Sequence, residues 1–358
     1  MQSEKNFKRI VVKIGSSLFY DAGNALDPEI LAGLCDQIKD LVKEGRQVVV
    51  VSSGAIALGM NILGLKDRPK GLAQLQAAAS LGQNELMNSY CRFLGKGWFA
   101  AQILLTWDDF DDRQRYKNAK QTLLALLEQK KYQIQGIVPI INENDTVSTD
   151  EIKFGDNDQL SARVAALIGA DLLVMLSDVD GLMDADKKVI HVIDSIDSRI
   201  KELAAPSNRK TSVGGMITKI DAAKIAVDSG IPCVIANGKR RDIIFLVTKE
   251  PQKYGTLFIP KKGLRERKRW IAFGTRPKGK VIVDDGAKRA LLNNKSLLSV
   301  GVIGVEGVFA SGDTVCVSDT NKTEIARGKI AVSNKTLEKV KGARYDKEII
   351  HRDNIVIL

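Results

Sequence analysis

Two clusters of acids and amides stand close together in the chain: Asn142-Glu143-Asn144-Asp145, and then Gly155-Asp156-Asn157-Asp158. The first follows an apolar run through Ile137, Val138, Ile140 and Ile141, and a helical pattern starts after the second. A buried strand that ends in carboxylates and amides delivers them to one edge of a sheet, and open α/β sheets bind ligands just outside the carboxyl ends of their strands. Asn, Asp and Gly are also ordinary turn residues. Two such tetrapeptides around one short loop point beyond turn-making, to a site that holds a charged ligand.

Three further stretches suit an anion. Lys13 lies inside the apolar run 8–14 and leads into Gly15-Ser16-Ser17. An unpaired lysine among apolar residues is costly, whereas the N–H groups of a small-residue turn hold phosphate and an adjacent ammonium neutralises it. Ser52-Ser53-Gly54-Ala55 ends a second apolar run and opens a helix, whose N-terminus suits phosphate or carboxylate alike. Val213-Gly214-Gly215-Met216-Ile217-Thr218-Lys219 pairs glycines with a lysine one turn into a helix. One apparent match fails: Gly274 to Lys280 has the spacing G-x-x-x-x-G-K, but Val281 stands where a P-loop needs Ser or Thr. Glycine-rich turns, two lysines and an acid/amide cluster at strand ends together imply phosphoryl transfer, where catalysis is mostly positioning and neutralisation of charge with Mg²⁺.

Composition narrows the alternatives. The chain has 358 residues, enough for about two domains. Only His191 and His351 occur, and Cys35, Cys91, Cys233 and Cys316 are widely spaced, which argues against His-based triads, zinc sites and disulfide frameworks. No apolar run approaches the ~20 residues of a membrane span, and the N-terminus lacks a signal-peptide core, so no membrane association and a cytoplasmic location are expected. The formal charge is +11. From Lys261 to Ala290 eleven basic residues face three acidic ones, which fits a solvated linker or an anionic partner such as nucleic acid.

The elements that must position these residues alternate in type. Strands are expected at 8–14, 48–51, 101–105, 137–141, 171–176 and 232–236. Helices are expected at 55–60, 71–94, 118–131, 160–168 and 218–227, with one starting at Asp27-Pro28 and ending near Gly45. Such alternation means a mostly parallel sheet wrapped by helices. Beyond the basic stretch the texture changes to short strands at 280–283, 300–305, 314–317 and 325–332. Asp284-Asp285-Gly286 and similar turns separate them, giving a small β-rich domain.

Six motifs, VVKIGSS, VVSSGAIALG, INENDTV, GDNDQLSA, SDVDGL and GGMITK, resemble in order those of the glutamate 5-kinases, a branch of the amino acid kinase family. The tail resembles a PUA domain. The resemblance implies a three-layer α/β/α sandwich over 1–264, a basic linker at 265–276 and a PUA domain at 277–358. It implies ATP-dependent phosphorylation of the γ-carboxylate of L-glutamate, with Mg²⁺, as the first step of proline biosynthesis. Carried over by motif, Lys13, Lys219 and Asp158 are catalytic, Asp158 orienting the two lysines. Ser53, Gly54, Ala55, Asp145, Asp156 and Asn157 face glutamate. Lys13, Gly15, Ser177, Asp178 and the run Val213, Gly214, Gly215, Met216, Ile217, Thr218 and Lys219 face ATP, and Lys153 lies near the phosphoryl path. The family often has Thr where Ser177 and Val213 stand; Ser177 keeps a hydroxyl and Val213 does not. No dedicated protein metal site is expected. The resemblance also implies a homo-oligomer (dimer or tetramer), feedback inhibition by proline and hand-over of product to glutamyl phosphate reductase. The alternatives are a sibling kinase acting on another carboxylate and an RNA-binding protein acting through the basic tail.

Overall fold

The computed structural model describes residues 7–18, 27–128, 133–147, 156–204, 215–260 and 266–357. It divides into two units, 1–109 with 114–263 and 110–113 with 264–358.

In the first unit the elements run β1 (Arg9–Ile14), α1 (Pro28–Lys43), β2 (Gln47–Ser52), α2 (Ala55–Ile62), α3 (Leu72–Leu94), β3 (Trp98–Leu105), α4 (Trp107–Asp111, its last two residues in the second unit), α5 (Arg113–Leu127) and β4 (Gly136–Glu143). They continue as α6 (Asp156–Ile168), β5 (Leu172–Ser177), β6 (Val192–Ile193), α7 (Ser198–Leu203), α8 (Met216–Asp228), β7 (Cys233–Asn237), α9 (Ile243–Lys249) and β8 (Thr256–Phe258). Helix α1 starts where Asp27 accepts hydrogen bonds from Glu29 N and Ile30 N, with Pro28 in the first turn, and it buries Leu31, Leu34, Cys35, Ile38 and Leu41 at helical spacing.

The strands form one sheet in the order β3-β4-β2-β1-β5-β7-β8-β6, and every pair is parallel except β7 with β8. Strands β2, β3 and β4 lie on one side of β1, and the later strands β5 to β8 on the other. The strand order therefore reverses at β1, the position where such sheets bind ligands. Register aligns the strand ends: Ile14 stands beside both Ser52 and Leu176, and Ser177 beside Asn237.

Alternation along β1 divides its side chains between two layers. Ile10, Val12 and Ile14 enter a core with Leu31, Leu34 and Ile38 of α1, Leu86 and Tyr90 of α3 and Ile243 of α9. Val11 and Lys13 have the opposite parity, toward the layer of α6, which packs on β1 and on α8. Helices thus cover both faces of a mostly parallel sheet, as expected.

Several elements differ from the sequence-based expectation. Helix α5 starts at Arg113 rather than 118, and the expected end of that helix lies outside the described residues. Helix α6 starts at Asp156 rather than 160, so Asp156, Asn157 and Asp158 form its first turn instead of a turn ahead of it. The free N–H groups and the dipole of a helix start favour acids and amides there. The short strands β6 and β8 and the helices α7 and α9 gave no clear periodicity.

The second unit contains α10 (Glu266–Arg269), a π-helical turn (Trp270–Gly274), β9 (Gly279–Val283), α11 (Asp285–Leu292), β10 (Val302–Gly307), β11 (Thr314–Ser318), β12 (Glu324–Lys329), α12 (Asn334–Val340) and β13 (Ile355–Ile357). Its sheet has the order β10-β9-β11-β12-β13 over a core that includes Val281, Val315, Val317 and Ile350. The stretch expected as a basic linker carries helical structure over Glu266–Gly274, with Trp270 buried and its indole N–H donating to Phe110 O at 2.9 Å. Asp284-Asp285-Gly286, expected as a turn, opens α11: Asp284 Oδ1 accepts from Ala287 N at 2.7 Å. Strand β10 starts at Val302, two residues later than expected, and β12 stops at Lys329.

Helices α2 and α3 cross at glycine. A Cβ on Gly82 would lie 1.8 Å from Ala55 O, and one on Gly59 would lie 1.7 Å from Ala78 O. Backbone stands where a side chain would go, so the helices would have to separate. Gly82→Ala is expected to lower stability by about 1–3 kcal/mol, the usual cost of overpacking, measured by urea unfolding. Unchanged stability would show that the crossing yields freely.

Candidate active site

Three charged side chains meet at the carboxyl edge of β1, all nearly out of water. Lys13 is 5% exposed, Asp158 1% and Lys219 8%. Lys13 Nζ lies 2.6 Å from Asp158 Oδ1, and Lys219 Nζ lies 3.5 Å from Asp158 Oδ2. Thr218 Oγ1 donates to Asp158 Oδ2 at 2.7 Å, fixing the carboxylate from the α8 side. Each member comes from a different element. Lys13 is on β1, on the strand face that looks toward α6. Asp158 is in the first turn of α6. Lys219 is in the first turn of α8, which Gly215 opens without any side-chain cap.

The electrostatics follow from this burial. Desolvation pushes the Asp158 carboxyl pKa up, but the ammonium groups of Lys13 and Lys219 and the hydrogen bonds from Lys13 and Thr218 overcome it, and the carboxyl ends below its ordinary range. Burial lowers the Lys219 ammonium below the usual lysine value; Asp158 opposes that shift and Lys13 adds to it. One carboxylate therefore faces two ammonium groups, and the charge of Asp178 also acts on Lys219.

A second group lies beside it at the ends of β2 and β4. Asn157 Nδ2 donates to Ser53 Oγ at 3.0 Å and to Asn142 Oδ1 at 2.9 Å. Ser53 N donates to Ile14 O at 3.2 Å, tying this loop to the end of β1. Beneath it the buried Tyr90 hydroxyl donates to Ser52 Oγ at 2.9 Å. Gly54, with φ of +116°, turns the chain into α2, so Ala55 opens a helix that no side chain caps. That left-handed conformation favours glycine. Asp145 is partly buried in the turn after β4. Burial lowers the pKa of the Arg68 guanidinium, and the charge of Asp145 works against that lowering.

A third group borders β5. Gly15 N donates to Leu176 O at 3.3 Å. Asp178 Oδ1 accepts from Ser177 Oγ at 3.0 Å and from Ser17 Oγ at 3.3 Å, which joins the turns after β1 and β5. Gly215, Met216 and Ile217 form the start of α8, and Asp156 opens α6. Val213, Gly214 and Lys153 lie outside the described residues.

The structure thus brings Lys13, Asp158 and Lys219 together, and Ser53 with Asn157. Sequence reasoning placed Asn142 in the polar cluster but gave it no task; it is a buried hub between strand and helix. Gln83 and Tyr90 were missed because each has ordinary spacing within α3. Thr218 was expected only beside a nucleotide, and its hydroxyl also holds Asp158. Among the described residues no three His, Cys, Asp or Glu side chains gather as a metal cage, and no helix is long and apolar enough to cross a membrane.

Comparison with known proteins gives the same outline. The profile of the amino acid kinase family matches residues 8–237, and that of the PUA domain matches residues 279–351. The chain is 43% identical to a glutamate 5-kinase of Thermoanaerobacter sp. (strain X514) over 370 residues, covering 98% of each. It is 45% identical to a glutamate 5-kinase of Geobacter metallireducens over 376 residues, covering 99% of this chain and 98% of the relative. A glutamate 5-kinase of Geobacter sulfurreducens is 44% identical over 371 residues, covering 98% of each.

Because the folded Asp158 pKa lies below its unfolded value, the carboxylate contributes stability fully above the unfolded value, and that contribution is lost as pH falls through the folded one. Asp158→Asn is expected to cost about 3–5 kcal/mol near neutral pH, since it leaves two buried ammonium groups unneutralised, and to flatten the acid limb of the stability curve. Unfolding measured from neutral to strongly acidic pH checks both. A variant with the parent's stability and acid limb would mean that the carboxylate is not the group holding the lysines.

Proposed function

The chain belongs to the amino acid kinase family, among its glutamate 5-kinases, and from that premise we propose how it moves the γ-phosphoryl group of ATP to the γ-carboxylate of L-glutamate. The products are γ-glutamyl phosphate and ADP, and the reaction is the first step of proline biosynthesis. The observation that carries this reading is the buried Lys13–Asp158–Lys219 cluster beside the Ser53–Asn157 pair.

The nucleophile is a carboxylate, already ionised at neutral pH, so no general base is required. A γ-carboxylate oxygen attacks the γ-phosphorus, the bond to the β,γ-bridging oxygen breaks, and ADP leaves with its electron pair. The demand on the protein is to bring two anions together and to neutralise the charge spread over the transferring oxygens. Lys13 and Lys219 supply that positive charge. Asp158 holds both ammonium groups in place, and Thr218 holds Asp158. The N–H groups at the start of α8 add a helix-terminal anion site for the nucleotide, with Gly15, Ser177 and Asp178 along its border. Val213 and Gly214 complete that border by motif. Mg²⁺ would arrive as part of the nucleotide substrate and would offset phosphate charge there.

At the other end, Asp145, Asp156 and Asn157 suit the substrate ammonium. Ser53 and the N–H groups of Gly54 and Ala55 suit a carboxylate. A cytoplasmic location fits the biosynthetic role of the relatives. The same reading includes assembly into a homo-oligomer, competition by L-proline at the glutamate end, and capture of the labile acyl phosphate by glutamyl phosphate reductase. The PUA domain remains available to structured RNA through its basic excess.

With ATP, Mg²⁺, L-glutamate and hydroxylamine, the purified protein is expected to form glutamyl hydroxamate. No product from glutamate, with product from aspartate or acetylglutamate, would overturn the substrate assignment. Lys13→Ala and Lys219→Ala are each expected to lower kcat by at least about 10²-fold, the scale of losing a preorganised charge at the transition state. Asp145→Ala should raise KM for glutamate at least about tenfold and leave KM for ATP near the parent value. A shift in the ATP constant instead would end the division of tasks proposed for the two ends of the site.

A further inference from the structure

A line of side-chain amides runs behind the Ser53–Asn157 pair. Asn157 Nδ2 donates to Ser53 Oγ at 3.0 Å and to Asn142 Oδ1 at 2.9 Å. Asn142 Nδ2 donates to Gln83 Oε1 at 2.9 Å, and Gln83 Nε2 donates to Gln102 Oε1 at 3.0 Å. A primary amide has donors at one end and an acceptor at the other, so turning it over exchanges the two. The direction of this line is therefore a physical property that something must fix.

Backbone groups set it at two points. Glu143 N, which only donates, meets Asn142 Oδ1 at 2.9 Å. Ser52 O, which only accepts, lies 3.4 Å from Asn157 Nδ2. With Asn142 in that orientation its Nδ2 faces α3, and Gln83 meets it with an acceptor. Helix α3 is itself held close at this point, since Gly82, one residue earlier, leaves no room for a Cβ against Ala55 O. Asn142 is buried, and among the described residues Gln83 Oε1 is the side-chain acceptor that its Nδ2 meets.

The consequence appears at the ligand end. Ser53 Oγ accepts from Asn157, so its own hydrogen is available to an outside acceptor. Asn157 Oδ1 is buried and has no hydrogen-bond partner among the described residues. The pair thus offers one donor and one unfilled acceptor, the polarity needed for the carboxylate and the ammonium of an α-amino acid. Turning Asn157 over would put its acceptor on Asn142 Oδ1 and break the pattern.

We infer that Gln83 is a positioning residue for the amino-acid substrate: by accepting from Asn142 Nδ2 it satisfies that buried amide and supports the orientation that Glu143 N and Ser52 O set for Asn142 and Asn157. It acts through Asn142 and belongs to the glutamate end alone. The inference rests on the reading of that end as the glutamate site.

The test is steady-state kinetics on three variants of the full chain, each with its thermal melt. Gln83→Met removes the acceptor with little change in size and is expected to raise KM for L-glutamate about tenfold, on the scale of one unsatisfied buried polar group, with KM for ATP unchanged. Gln83→Glu keeps an acceptor for Asn142 and should stay within about threefold of the parent. Gln83→Lys presents only donors and should be at least as impaired as the Met variant, so it decides the matter if the Met variant does not fold. Equal glutamate constants in all folded variants, equal rises in both substrate constants, or a Glu variant as impaired as the Met variant would overturn the inference. A parent that forms no glutamyl hydroxamate would instead remove the glutamate reading, which separates the two failures.

Discussion

The first unit is organised by the need to keep two lysines beside one carboxylate inside protein. Isolated buried charges are too costly to persist, and even a pair recovers its desolvation only with good geometry and further hydrogen bonds. Asp158 satisfies this with Lys13 at 2.6 Å, Lys219 at 3.5 Å and Thr218 at 2.7 Å. These residues lie on β1, α6 and α8, so the cluster exists only when the strand and two helices converge. Asp178 adds a further negative charge acting on Lys219.

The carboxyl edge of the sheet separates two chemistries. Near β5 and α8 the groups are glycine, hydroxyl and helix N–H, which suit phosphate. Near β2 and β4 they are amides and acids, which suit an amino acid. Lys13 lies between because β1 is the strand at which the order reverses, with β2 on one side and β5 on the other. In the proposed reaction the two anionic substrates approach from these opposite sides and meet over the lysines. The second unit has its own sheet and its own core, and none of the cluster's residues comes from it.

Much of this was legible along the chain because the signals are local. The Asp27-Pro28 start, the apolar runs of β1, β2, β4 and β5, and the paired polar clusters all depend on near neighbours. Boundaries were less legible where local chemistry is ambiguous. Gly155-Asp156-Asn157-Asp158 reads equally well as a turn and as the first turn of a helix, and Asp284-Asp285-Gly286 likewise proved to open α11. Trp270, within a run of basic residues that reads as a linker, is buried because a carbonyl, Phe110 O, distant in sequence is placed to accept its indole N–H.

By itself the sequence determined which residue types stand at the strand ends, and hence the phosphoryl-transfer chemistry and the alternating α/β architecture. Backbone propensity, hydrophobic period and motif spacing are encoded within a few residues of each position. Only the tertiary structure decided that Asp158 lies between the two lysines, that Thr218 turns its hydroxyl to that carboxylate, and that Asn142 joins Asn157 to Gln83. Those contacts span 15 to 145 positions of chain and depend on strand register and on the approach of α3 allowed by Gly82. Hydrogen-bond direction and the neutralisation of buried charge are properties of three-dimensional neighbours, which no local pattern specifies.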